Sequence, residues 1–106
     1  MLDLAPHHRT LLLAILNTHL PGARVWAFGS RVTGRARPFS DLDLAVEGAA
    51  PIDTRTLALL RDDLAESDLP MVVDVLDLRA ISSAFRAVVE RERVPLIPAA
   101  SPPYAA

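Results

Sequence analysis

Apolar positions recur along this chain with two different periods, and the switches between them divide it into short elements. From Pro6 to His19 they return every three or four residues, with Leu12, Ile15, Leu16 and His19 near one face, which predicts an amphipathic helix. Pro21-Gly22 ends it. Compact apolar runs then predict strands over Arg24–Phe28 and Asp41–Val46, with Gly48-Ala49-Ala50-Pro51 as the loop that follows. Helical spacing resumes over Thr54–Glu66, capped by Asp53 or Thr54, with Leu57, Leu60 and Leu64 on the buried face. A β-branched run predicts a third strand over Met71–Leu76. A last helix is expected over Leu78–Arg91, with Asp77 as its N-cap and Ile81, Phe85, Val88 and Val89 on one face. Val94–Ile97 is expected to add an edge strand, an assignment that Pro95 weakens.

The resulting order is α-β-β-α-β-α. It implies an α/β (α+β) fold with a small mixed sheet of three or four strands flanked by helices. Residues 1–98 read as a single domain and residues 99–106 as a flexible C-terminal tail.

The chemistry concentrates between the first two strands. In a strand, residues i and i+2 project on one face, so Asp41 and Asp43 share a face while Leu42 and Leu44 take the other. Two carboxylates at that spacing repel unless a cation sits between them, and magnesium favours such oxygen ligands together with substrate phosphates. A lone D-x-D also suits a solvated edge strand, so the surrounding residues decide its meaning. Upstream, Gly29-Ser30 closes the first strand. Glycine lets the backbone approach a ligand, and successive N–H groups in such a turn form an anion nest. Arg31, Arg35 and Arg37 make the intervening loop basic, and guanidinium groups match phosphate oxygens; Arg31, beside the nest, is the first candidate. Downstream, Asp74 stands inside the third apolar run, where a charge is costly unless it is paired or bound to a cation.

Other residues read more plainly. His7, His8 and His19 are surface histidines, and Trp26 is core or sheet cover rather than a base-stacking platform. Asp62, Asp63, Glu66 and Asp68 form a solvated acidic face. Glu47 and Tyr104 carry no chemistry that the sequence demands.

The run G-S-R-x-x-G-x-A-R-x-x-S-D-L-D-L, with Asp74 on a later strand, resembles the minimal nucleotidyltransferase (MNT) family of the DNA polymerase β-like superfamily. The pattern there is Gly-Ser, a spacer of about ten residues, D-x-D, and a third Asp. Gly29-Ser30, Asp41, Asp43 and Asp74 fill every position, and the resemblance extends from about Leu11 to Pro98. It implies a nucleotidyltransferase-type mixed sheet and transfer of AMP from ATP. Asp41, Asp43 and Asp74 would be the catalytic, metal-binding carboxylates for two Mg2+ ions, with Gly29, Ser30 and Arg31 binding the nucleotide. It further implies a partner: MNT antitoxins inactivate HEPN-domain RNase toxins by adding AMP to a tyrosine. Two other readings stay open. One is nucleotidyl transfer to a small molecule or nucleic acid with a separate acceptor-binding subunit; the other is neutralisation of a toxin by complex formation alone.

Composition narrows this further. The chain has 106 residues, enough for one domain with a modest core, and 51% hydrophobic content argues against disorder. It has no cysteine, hence no disulfide or thiolate metal site, in keeping with a cytoplasmic setting. No apolar run reaches the length of a membrane span. All 11 basic residues are arginine and the net charge is −2, which weighs against direct nucleic-acid binding. A chain this short also has no room for a dedicated acceptor-binding domain.

Overall fold

The computed structural model describes residues 4–29, 32 and 41–96. Ser30, Arg31, Gly34, Arg35, Arg37, Pro38, Ser40, Ile97 and Tyr104 lie outside that set, as does the tail.

The elements are α1 (Pro6–His19), β1 (Arg24–Phe28), β2 (Leu42–Glu47), α2 (Thr54–Glu66), β3 (Val73–Asp77), α3 (Ser83–Glu92) and β4 (Val94–Pro95). The four strands form one mixed sheet in the order β3-β2-β1-β4. β1 runs antiparallel to β2 and to β4, and β2 runs parallel to β3 through the α2 crossover.

Alternation along β2 divides the core. Leu42, Leu44 and Val46 are fully buried and join Leu12, Ile15 and Leu16 of α1 and Leu60 and Leu64 of α2 in the larger cluster. Ala45, of the opposite parity, packs with Phe28, Leu78 and Val89 in a smaller cluster on the α3 side. The sheet thus lies between α1 and α2 on one face and α3 on the other. The short β4 is held by Leu96, whose N–H donates to the Val25 carbonyl (3.0 Å) and whose own carbonyl accepts from the Arg9 guanidinium of α1.

The ends of the elements have local causes. Pro6 opens α1, where its missing N–H is harmless. The Asp53 side chain caps α2 by accepting from the Thr56 N–H (3.0 Å). Thr56 lowers the Asp53 carboxyl below its usual value, through its side-chain hydrogen bond first and its backbone N–H second.

Three expectations need correction. β2 and β3 each begin and end later than the apolar runs suggested, so Asp41 precedes β2 and Asp74 is the exposed second residue of β3 rather than a buried central one. The last helix begins at Ser83, not Leu78, and its cap is Ser82, which accepts from the Phe85 N–H (3.1 Å). Asp77 instead ends β3, 4% exposed, and accepts from the N–H groups of Ile52 (2.8 Å) and Arg79 (2.9 Å). It clasps the loop before α2 to the turn after β3. Finally, α3 buries only Val89; Phe85 and Val88 are 42% and 40% exposed.

These roles separate in denaturation. Ser82→Ala should cost about 1 kcal/mol, an ordinary lost cap. Asp77→Ala leaves two part-buried donors, the N–H groups of Ile52 and Arg79, without their acceptor and should cost about 2 kcal/mol, more than the lost cap. Urea titration of both variants checks this; equal losses would refute the clasp.

Candidate active site

Three strand ends meet at one edge of the sheet. Antiparallel pairing sets Phe28 of β1 opposite Asp43 of β2, and parallel pairing sets Asp43 opposite Asp74 of β3. Asp43 has the parity of Ala45, so it lies on the α3 side of the sheet, and in register pairing Asp74 lies there with it. The Asp43 carboxyl is pushed above its usual value, first by burial and then by the charges of Asp74, Asp41 and Glu92. Asp41 is exposed, just before the strand. The structure therefore brings Asp41, Asp43 and Asp74 into one electrostatic neighbourhood, by register rather than by burial of Asp74.

Gly29 follows β1 directly, at φ +82°. Its backbone requires glycine twice over. Positive φ is costly for a side chain bearing Cβ, and a Cβ built here would collide with Oδ2 of Asp43. The Gly29 carbonyl accepts from the Val32 N–H (3.0 Å), so the chain turns immediately after the strand. Main chain and Asp43 carboxylate are thus packed together with nothing between them.

A fourth carboxylate, missed from the sequence, reaches the same point. Glu92 ends α3, and its Oε1 accepts from the Gly29 N–H at 3.0 Å. Nothing in the local string Arg91-Glu92-Arg93 marks it, since the contact spans 63 residues. Among the described residues, no group of three His, Cys, Asp or Glu side chains is gathered closely enough to hold a metal ion as it stands.

Residues nearby have structural roles. Glu47, at the far end of β2, is paired with Arg86 of α3 (2.9 Å), and Arg86 also donates to the Leu78 carbonyl (3.0 Å). Trp26 is half-buried under α3, with the Arg93 guanidinium 4.2 Å above its ring, as sheet cover should be. His19 pairs with Asp63 (2.8 Å) between α1 and α2, so one residue of the acidic face has a partner.

The polymerase beta, nucleotidyltransferase family matches residues 12–99. The "probable protein adenylyltransferase MntA" of Haemophilus influenzae is 40% identical over 90 residues, covering 85% of this chain and 79% of that protein. A toxin–antitoxin crystal structure with AMP-PNP contains a chain that superposes with a TM-score of 0.73 at 29% identity, covering 84% of this chain and 72% of that one. A tri-AMPylated Shewanella oneidensis HEPN toxin in complex with MNT antitoxin gives a TM-score of 0.65 at 27% identity, covering 84% and 68%.

The close approach of Gly29 to Asp43 is testable by a double-mutant cycle. Gly29→Ala alone should cost about 1–2 kcal/mol or more in stability, from the positive φ and the collision together. In an Asp43→Ala background the collision disappears and the Gly29→Ala cost should shrink. Simple additivity in urea denaturation would mean that the two groups do not touch.

Proposed function

This chain belongs to the polymerase beta nucleotidyltransferase family, and we propose that within it the protein is an adenylyltransferase antitoxin, moving AMP from ATP to a tyrosine hydroxyl of a cognate HEPN toxin. The observation that carries the reading is the register that sets Asp43 beside Asp74 with Gly29 against Asp43. The similar adenylyltransferase, the AMP-PNP complex and the AMPylated toxin support the nucleotide, the transferred group and the acceptor.

The donor set suits magnesium in kind. Its ligands are hard carboxylate oxygens, and the charges of Asp74 and Asp41 already push the Asp43 carboxyl upward, a repulsion that a divalent cation would reverse. Asp41 and Asp43 would hold two ions between them, with Asp74 on the acceptor side. Bound there, the ions would stabilise the attacking and leaving oxygens of an in-line displacement.

The protein's own groups do the rest. The backbone N–H of Gly29, with Ser30 and Arg31, holds the β- and γ-phosphates. Asp74 orients the acceptor hydroxyl and takes its proton. The hydroxyl oxygen bonds to the α-phosphorus, the bond from that phosphorus to the bridging oxygen breaks, and pyrophosphate leaves. The acceptor hydroxyl is supplied by the toxin.

The test mixes the purified chain, magnesium, ATP labelled in its adenosine, and a candidate HEPN toxin partner. Label should pass to the toxin. Asp41→Asn/Asp43→Asn should abolish transfer, and Asp74→Asn should lower kcat by about 100-fold or more. Full neutralisation of the toxin by the double variant, with no label transferred by the wild type, would instead establish inhibition by complex formation.

A further inference from the structure

The motif and the proposed chemistry leave one contact at the site unused, the hydrogen bond from the Gly29 N–H to Glu92. We propose that the Glu92 carboxylate is a built-in competitor for the nucleotide. In the free chain it occupies the Gly29 N–H, and a bound triphosphate must displace it. The inference rests on the reading of Gly29 as part of the phosphate cradle.

The placement is otherwise unfavourable for a carboxylate. Glu92 is the last residue of α3, at the negative end of the helix, where an anion is disfavoured. It also faces the acidic edge closely enough for its charge to help raise the Asp43 carboxyl. Of the two arginines beside it in sequence, Arg93 is turned elsewhere, over Trp26 and towards Glu90 (3.8 Å). What favours the position is the Gly29 N–H, which Glu92 meets at 3.0 Å in a half-buried setting.

A carboxylate oxygen on a backbone N–H makes the same kind of contact as a phosphate oxygen in an anion nest, a charged acceptor on a neutral donor. One N–H cannot serve both fully. A triphosphate seated at Gly29 would bring its own negative charge against Glu92, so the two exclude each other electrostatically as well as for the donor. Glu92 sits on a helix end beside the short β4, where a change of side-chain rotamer can withdraw it without disturbing the sheet. Its effect on the reaction is therefore on nucleotide affinity, exerted through Gly29; it is a positioning residue.

The full-length chain is titrated with a non-hydrolysable ATP analogue and magnesium by calorimetry, as wild type, Glu92→Gln and Glu92→Ala. Removing the charge should tighten binding about 3- to 10-fold, the scale of one partly exposed charge-assisted hydrogen bond. In the transfer assay KM for ATP should fall with kcat unchanged or lower. A merely structural Glu92 would move these readouts the other way, raising KM as the turn loosened. Glu92→Gln keeps the side chain's shape, so it reports even where Glu92→Ala folds poorly. Wild-type binding with equal or weaker binding in Glu92→Gln overturns the competition and leaves the cradle standing. No binding by any of the three proteins overturns the cradle and the competition together.

Discussion

Everything at this site depends on the register of β2 in the sheet. The strand has two sets of side chains, and the fold uses them for opposite purposes. Leu42, Leu44 and Val46 are fully buried against α1 and α2, and these contacts fix which face points inward. Asp43 then has no choice but the α3 side. Parallel pairing with β3 brings Asp74 alongside, and antiparallel pairing with β1 brings Gly29 within collision distance. A slip of one residue would drive Asp43 into the main core and move Leu42, Leu44 and Val46 to the α3 side, where the small Ala45 now packs with Phe28, Leu78 and Val89. Against that slip stand the cost of burying the unpaired Asp43 charge in the main core and the loss of three large side chains from it, each contributing about 1.5–3 kcal/mol when buried there. The large core therefore imposes the crowding of charge at this end of the sheet.

The elements that were legible from the sequence are those whose causes are local. α1 and α2 follow from apolar spacing and from the residue at each start, Pro6 in the first position of α1 and the Asp53 cap before α2. β1 and the Gly29 turn follow from a compact apolar run ended by glycine. The start of α3 was not legible, because Asp77 and Ser82 are both ordinary capping residues and only the tertiary bond from Ile52 assigns Asp77 to the sheet. The exposure of Phe85 and Val88 was hidden for a related reason. Helical period shows which residues share a face, and says nothing of whether a neighbour covers it. Asp74 drew attention in the sequence as a buried charge in search of a partner, whereas the structure leaves it exposed and in register with Asp43. Glu92 was invisible because its contact closes a loop of 63 residues.

α3 explains how a small sheet can carry so acidic an edge. It crosses the α3 side of the sheet with an attachment near each end. Near its start, Arg86 ties Glu47 at the far end of β2 to the carbonyl of Leu78. At its close, Glu92 meets Gly29 where β1 ends. Between them Val89 seals Phe28, Ala45 and Leu78. The first attachment joins opposite charges and is favourable on electrostatic grounds alone. The second places a carboxylate among carboxylates and is held by a neutral donor. The asymmetry has a physical consequence: the distant end of α3 is the fixed one, and the end at the site is the one that an arriving anion can compete with. The hydrophobic seal of Val89 lies between the two attachments, one held by opposite charges and the other by a neutral donor.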